Sequence, residues 1–157
     1  MNTKEPYESS PGGYELVIKR VFDAPRELVF AAWTQPQHLR NWSAAPSWVT
    51  ITEKHGEVRV GEMFNVTMRT PEGKDLHLQG KYLEVTAPVR LVFTHAWLNE
   101  AGEPKNHTLV TIELAEGGKK TELTLRQTGL PSAESRDGHN HGWNGALDNL
   151  EAYLASC

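Results

Sequence analysis

Trp143, Leu147, Leu150 and Leu154 recur at steps of four, three and four in the stretch 131–154, PSAESRDGHNHGWNGALDNLEAYL. That spacing is the apolar stripe of an α-helix with about 3.6 residues per turn, and it predicts one long helix at the end of the chain. Carried backwards by the same steps, the stripe reaches His139 and Arg136, so the first turns present polar and aromatic groups where the last turns present leucine. A helix with such a face needs a wide apolar surface to lie on. Almost everything upstream reads as strand, which predicts an α+β fold with the helix laid across one face of an antiparallel sheet.

A first strand is expected over 14–22, with Leu16, Ile18 and Phe22 on one face and Val17, Lys19 and Val21 on the other. The period then changes. In DAPRELVFAAW, 23–33, Pro25 suits a first helical turn, Asp23 or Ala24 suits the cap, and Leu28, Val29, Ala32 and Trp33 form a buried stripe. A short second helix, PQHLRNW at 36–42, carries Leu39 and Trp42 three apart. Six strands are expected after it: 48–55, 58–70 with a bulge or bend at Gly61, 75–85, 91–98, 106–115 and 120–128. Their breaks fall at His55-Gly56, Pro71-Glu72-Gly73-Lys74, Ala87-Pro88, the loop 99–105 and Glu116-Gly117-Gly118. Val110, Ile112 and Leu114 share one face, as do Leu123, Leu125 and Gln127. The order is strand, two helices, six strands, long helix. Residues 1–13 read as a flexible lead-in and 14–157 as one domain.

Composition narrows the function classes. A net charge of −4 with interspersed signs leaves no basic footprint for nucleic acid. No apolar run approaches the roughly 18 residues of a membrane span, and the N-terminus lacks a signal-peptide pattern. A cytoplasmic protein is expected. The one cysteine, Cys157, cannot form an internal disulfide and is poorly placed for a nucleophile. A homodimer is left open.

The residues with chemistry are few. His139 and His141 would point about 200° apart on a helix, so they do not make a shared metal site, and no other histidine, cysteine and carboxylate cluster has ligand spacing. His38, His55 and His107 read as loop or surface groups, whereas His95 alternates with Phe93 and Trp97 on one strand face. That imidazole is either a satisfied core group or a ligand contact. Gly142 and Gly145 flank Trp143 at a helix-propensity cost of roughly 1 kcal/mol each, which signals close backbone approach to the sheet or room left for a ligand. Gly12-Gly13 precedes a strand and Gly117-Gly118 makes a turn, so neither cradles a phosphate at a helix N-terminus. No metal and no organic cofactor are expected. Acid–base chemistry by His95 or His139 with Glu62 or Asp75 depends on spatial pairing that the sequence does not specify.

RVFDAPRELVFAAWTQPQHLRNW at 20–42, GKYLEVTAPVRLVFTHAW at 80–97, TELTLRQTGLP at 121–131 and HNHGWNGALDNLEAYL at 139–154 carry a resemblance to a known family. Together they resemble the Aha-type family, named after the C-terminal domain of the activator of the heat-shock protein 90 ATPase, within the START-like or SRPBCC superfamily. The resemblance implies a helix-grip fold, a curved antiparallel sheet wrapped round the C-terminal helix, with a cavity between them for an apolar small molecule. The chain departs from the family's pattern at Ser43-Ala44-Ala45-Pro46 and at Gly61-Glu62, both expected beside the cavity mouth. The additional domain of the eukaryotic chaperone activators has no counterpart in these residues, so chaperone activation is not the expected role. In such a fold, alternation turns Phe64, Val66 and Met68 inward on one strand, His95 and Trp97 on another and Gln127 at the end of a third, with His139 and Trp143 on the helix above. Trp42, at the edge of the first departure, completes the expected ligand-binding set. The expected function is binding of a small, mainly apolar or aromatic molecule in that cavity. A cyclase-like or hydrolase-like enzyme using a pocket histidine, and a chaperone-interacting domain, are the alternatives.

Overall fold

In the computed structural model, which describes residues 13–43 and 45–157, alternating strands and one long amphipathic helix assemble as their patterns require. The elements are β1 (Tyr14–Phe22), α1 (Arg26–Thr34), α2 (Pro36–Trp42), β2 (Thr50–His55), β3 (Met63–Arg69), β4 (Asp75–Thr86), β5 (Arg90–Leu98), β6 (Pro104–Gly117), β7 (Lys120–Leu130) and α3 (Ala133–Ala155). The seven strands form one antiparallel sheet in the order β1-β7-β6-β5-β4-β3-β2. Strands β2 to β7 follow one another as a meander, and β1 closes onto the last of them. The α1–α2 elbow therefore carries the chain from one edge of the sheet to the other. This is the expected helix-grip arrangement. The lead-in expected over 1–13 lies, apart from Gly13, outside the described residues, as does Ala44.

The core forms where the inward residues of the sheet meet α3. Leu16, Ile18 and Phe22 of β1, Val110, Ile112 and Leu114 of β6, and Leu123 and Leu125 of β7 are buried with Leu147, Leu150 and Leu154 of α3. Ser132 caps α3, its hydroxyl accepting from the Ser135 amide at 3.0 Å. Arg20 shares the inward parity of β1, and α3 accommodates it: its guanidinium donates to Asp148 Oδ1 at 2.8 Å and to Asn144 O and Oδ1 at 3.2 Å.

Four local expectations are corrected. Pro25 is itself the N-cap of α1, in extended conformation, because its carbonyl already accepts from Leu28 and Val29 while its own nitrogen has no hydrogen to leave unpaired. Residues 58–62 are not strand. Gly61 adopts φ +90° and donates to Tyr82 O while Glu62 O accepts from Tyr82 N, so this segment meets β4 at one residue before β3 begins. The departure at Gly61-Glu62 consequently lies outside the cavity wall, on a depression formed with Val60, Lys81 and His107, whereas Pro46 of the other departure does line the cavity. His38 is a helical residue of α2, half-buried, its Nδ1 2.6 Å from the Tyr153 hydroxyl on α3. Among the described residues no helix is long and apolar enough to cross a membrane.

Candidate functional site: a cavity between the sheet and the first turns of α3

The inner face of β2 to β5 is concave, and the first half of α3 does not fill it. A cavity of about 390 Å³ remains. Antiparallel register builds its floor in rows: Val66 pairs with Leu78 and Leu78 with Trp97, and Met68 pairs with Leu76. Phe64, Tyr82 and Phe93 close one end as an aromatic cluster with centroids 5.0 to 5.9 Å apart. Gly80 makes this cluster fit, since a Cβ there would stand 2.3 Å from the Phe64 ring and 2.1 Å from the Thr94 carbonyl oxygen.

The two glycines of α3 turn out to have different reasons. A Cβ on Gly145 would meet Trp48 at 2.7 Å and Pro46 at 2.9 Å, so this glycine admits the 45–49 loop against the helix, not the sheet. Gly142 has nothing within 4 Å of its would-be Cβ and lines the cavity, as does Gly138 one turn earlier. Trp48 stacks on His141 at 4.7 Å, and the loop is thereby laid over the cavity's rim.

Seven of the nine expected residues meet at this cavity: Phe64, Val66, Met68, His95, Trp97, His139 and Trp143. Two stand behind it. Trp42 is buried edge-on against Trp33 at 5.1 Å and donates to Ala32 O, because the α1–α2 elbow turns it into the core. Gln127 is fully buried one layer back, where it orders the polar groups. Arg136, on the projected stripe, stacks instead over the Tyr14 ring of β1 at 5.4 Å. Alternation along β4 could have supplied Leu76, Leu78 and Tyr82. Lys54 had no such signal, because a register shift between Ile51 and Glu53 turns both Ile51 and Lys54, three residues apart, to the concave side.

Hydrogen bonds fix the tautomer of His139 and bias that of His95. An indole N–H can only donate. Trp143 Nε1 donates to Gln127 Oε1 at 2.8 Å, so the amide nitrogen of Gln127 faces Thr108 Oγ1 at 2.8 Å and His95 Nδ1 at 3.5 Å. This amide orientation favours the tautomer in which His95 Nδ1 accepts and the proton sits on Nε2. That N–H has no protein partner among the described residues. By the same logic Trp97 Nε1 donates to His139 Nε2 at 3.0 Å, and His139 Nδ1–H donates to Ser135 O at 2.8 Å. Burial, reinforced by the neighbouring His139, lowers the His95 pKa to about 3. Burial also pushes the Tyr82 hydroxyl up to about 12. Both groups are neutral at physiological pH.

This environment suits a hydrogen-bond donor more than a general base. No carboxylate lines the cavity among the described residues. Asp75 is engaged by Arg69 on the outer surface at 2.8 Å and Glu62 is exposed, so neither is assembled with His95 or His139. His139 and His141 diverge as their spacing requires, one to the cavity and one to Trp48. Among the described residues no group of three histidine, cysteine or carboxylate side chains could hold a metal ion.

Known structures share this architecture. The AHSA1 protein from Silicibacter pomeroyi superposes with a TM-score of 0.83 at 23% identity, over 90% of this chain and 98% of that one. A protein from Nitrosomonas europaea gives 0.75 at 28% identity, over 90% and 94% of the two chains. One from Chromobacterium violaceum gives 0.76 at 28%, over 89% and 96%. Among curated proteins none matches. Residues 23–155, nearly the whole described chain, match the family described as Activator of Hsp90 ATPase homolog 1-like protein, and the chain belongs to that family.

Proposed function

We propose that the protein binds one small, mainly apolar molecule in the cavity under α3, held by a hydrogen bond from His95 to an acceptor on the ligand. The observation that carries this reading is the His95 Nε2–H: a buried ring whose other nitrogen is already satisfied, facing an apolar cavity with its one remaining donor unspent. An apolar enclosure with a few fixed polar tips is the usual composition of a small-molecule site, and about 390 Å³ falls within the common size range. A buried donor without a partner costs free energy that a ligand acceptor would recover. Trp33, also on the cavity wall, has its indole N–H buried without a partner among the described residues. The single cysteine, exposed at Cys157, fits a cytoplasmic location.

Calorimetric titration with naphthylacetamide, a neutral aromatic acceptor, tests the reading. Wild type should bind it, and Trp97→Ala should lose most of the binding while losing less stability than the roughly 3–5 kcal/mol of a core tryptophan truncation, because Trp97 is only half-buried. A wild type that gives no heat, with a mutant that loses the full core cost, would mean that the space is closed core.

A further inference from the structure

Lys54 is the one formally charged side chain on the cavity wall among the described residues. Its neighbours on β2 do not neutralise it. Glu53 faces away and lies 3.5 Å from His55, and Glu57 beyond the strand pairs with Arg59 at 3.4 Å. No ion pair or hydrogen bond from the Lys54 ammonium occurs among the described residues. The register shift in β2 is what brings it inward, opposite Val66. Lys54 remains exposed at the rim, yet enough protein surrounds it that desolvation lowers its pKa. No acidic side chain of the described residues supplies a counter-charge at this edge of the cavity.

Register also supplies a ruler. Lys54 pairs with Val66, Val66 with Leu78 and Leu78 with Trp97, so one row crosses the floor from the ammonium to the His95–Trp97 end. Three interstrand spacings of roughly 4.8 Å make the row about 14 Å long, less along the chord of a curved sheet. Every side chain between its ends is aliphatic.

We infer that the ligand is an amphiphile bearing one acidic group, which pairs with Lys54 at the rim while its apolar body lies along the Val66–Leu78 row towards His95. The inference rests on the proposed binding function and narrows it from a mainly apolar molecule of unspecified charge to a monoanionic one. The single ammonium selects for charge and the aliphatic row for an uninterrupted apolar body, at whose far end the His95 donor takes an uncharged acceptor. A dicarboxylate would place its second charge against aliphatic wall and is disfavoured.

The matched pair naphthylacetic acid and naphthylacetamide separates this inference from the reading beneath it. Wild type should bind the acid about fivefold more tightly than the amide at low salt, the size of a partly exposed ion pair. Lys54→Gln should abolish that preference, bringing the acid down to the affinity that the amide has in the same variant. Raising the salt concentration should shrink the preference in wild type and have no such effect in the variant. Equal affinities for acid and amide in wild type, or a preference that survives in Lys54→Gln, would overturn the anionic ligand while leaving the binding function standing. Binding of neither probe would count against both.

Discussion

At the scale of single residues, His95 shows how its surroundings set the chemistry of a side chain. Gln127 cannot rotate its amide without losing Trp143, so the histidine is biased towards one tautomer by a group that never touches the cavity. A test follows from its protonation. In the unfolded chain the imidazole titrates near its ordinary 6.5, whereas in the folded protein it does so at about 3. Between those values the unfolded chain binds the proton and the folded one does not. Stability attributable to His95 is therefore complete above pH 6.5 and falls as the pH drops towards 3, by at most about 1.4 kcal/mol per pH unit. Urea unfolding of wild type and His95→Phe across this range should show a shallower acid loss in the variant. Parallel curves would mean that His95 is more hydrated than its burial implies.

At the scale of elements, α3 divides into two halves with different neighbours. Leu147, Leu150 and Leu154 are buried in the core, whereas Gly138, His139 and Gly142 roof the cavity. Gly142→Ala should raise stability by about 0.5–1 kcal/mol, because alanine is the better helix former and the new Cβ meets open space. Gly145→Ala should instead lower it, since the same helical gain is set against a Cβ driven to within 2.7 Å of Trp48. Thermal unfolding of the two variants reads the difference. Identical shifts would mean that the 45–49 loop does not rest on the helix. The bulge in β2 belongs at this scale too: two inward residues three apart break the period-two pattern, and alternation alone could not reveal Lys54.

For the whole molecule, the sheet is closed on α3 at the β1 side and held open at the β4–β5 side. Arg20 ties β1 to the outer flank of α3 through Asn144 and Asp148, and Tyr153 with His38 ties the far end of the helix to α2. The roof over the cavity has fewer such constraints, and local opening free energies follow local packing. Hydrogen exchange should accordingly be faster for amides of 138–142 than for 147–154 in the free protein, and naphthylacetic acid should slow the former selectively. Uniform protection along α3 would argue for a filled interior.

Much of the architecture was readable because it rests on period. Spacings of three and four defined α3, alternation of two defined the inner faces of β6 and β7, and both are local consequences of backbone geometry. Seven of the nine expected residues reach the cavity for that reason, as positions of correct parity on correct elements. Tertiary structure alone decided the rest. Gln127 has the inward parity of β7 and Trp42 ends the helical elbow, yet both pack one layer behind the cavity, because depth depends on how the elbow and the sheet pack, not on period. Gly142 and Gly145 look alike in sequence, and only the approach of the 45–49 loop to one of them separates space from contact. Lys54 reaches the rim through a register shift, and the tautomer of His95 is biased by Gln127, whose amide is oriented by Trp143, sixteen residues away in sequence and adjacent in space. A pattern in the chain specifies the direction in which a side chain leaves the backbone. What it meets there is set by residues distant in sequence, which only the folded arrangement brings together.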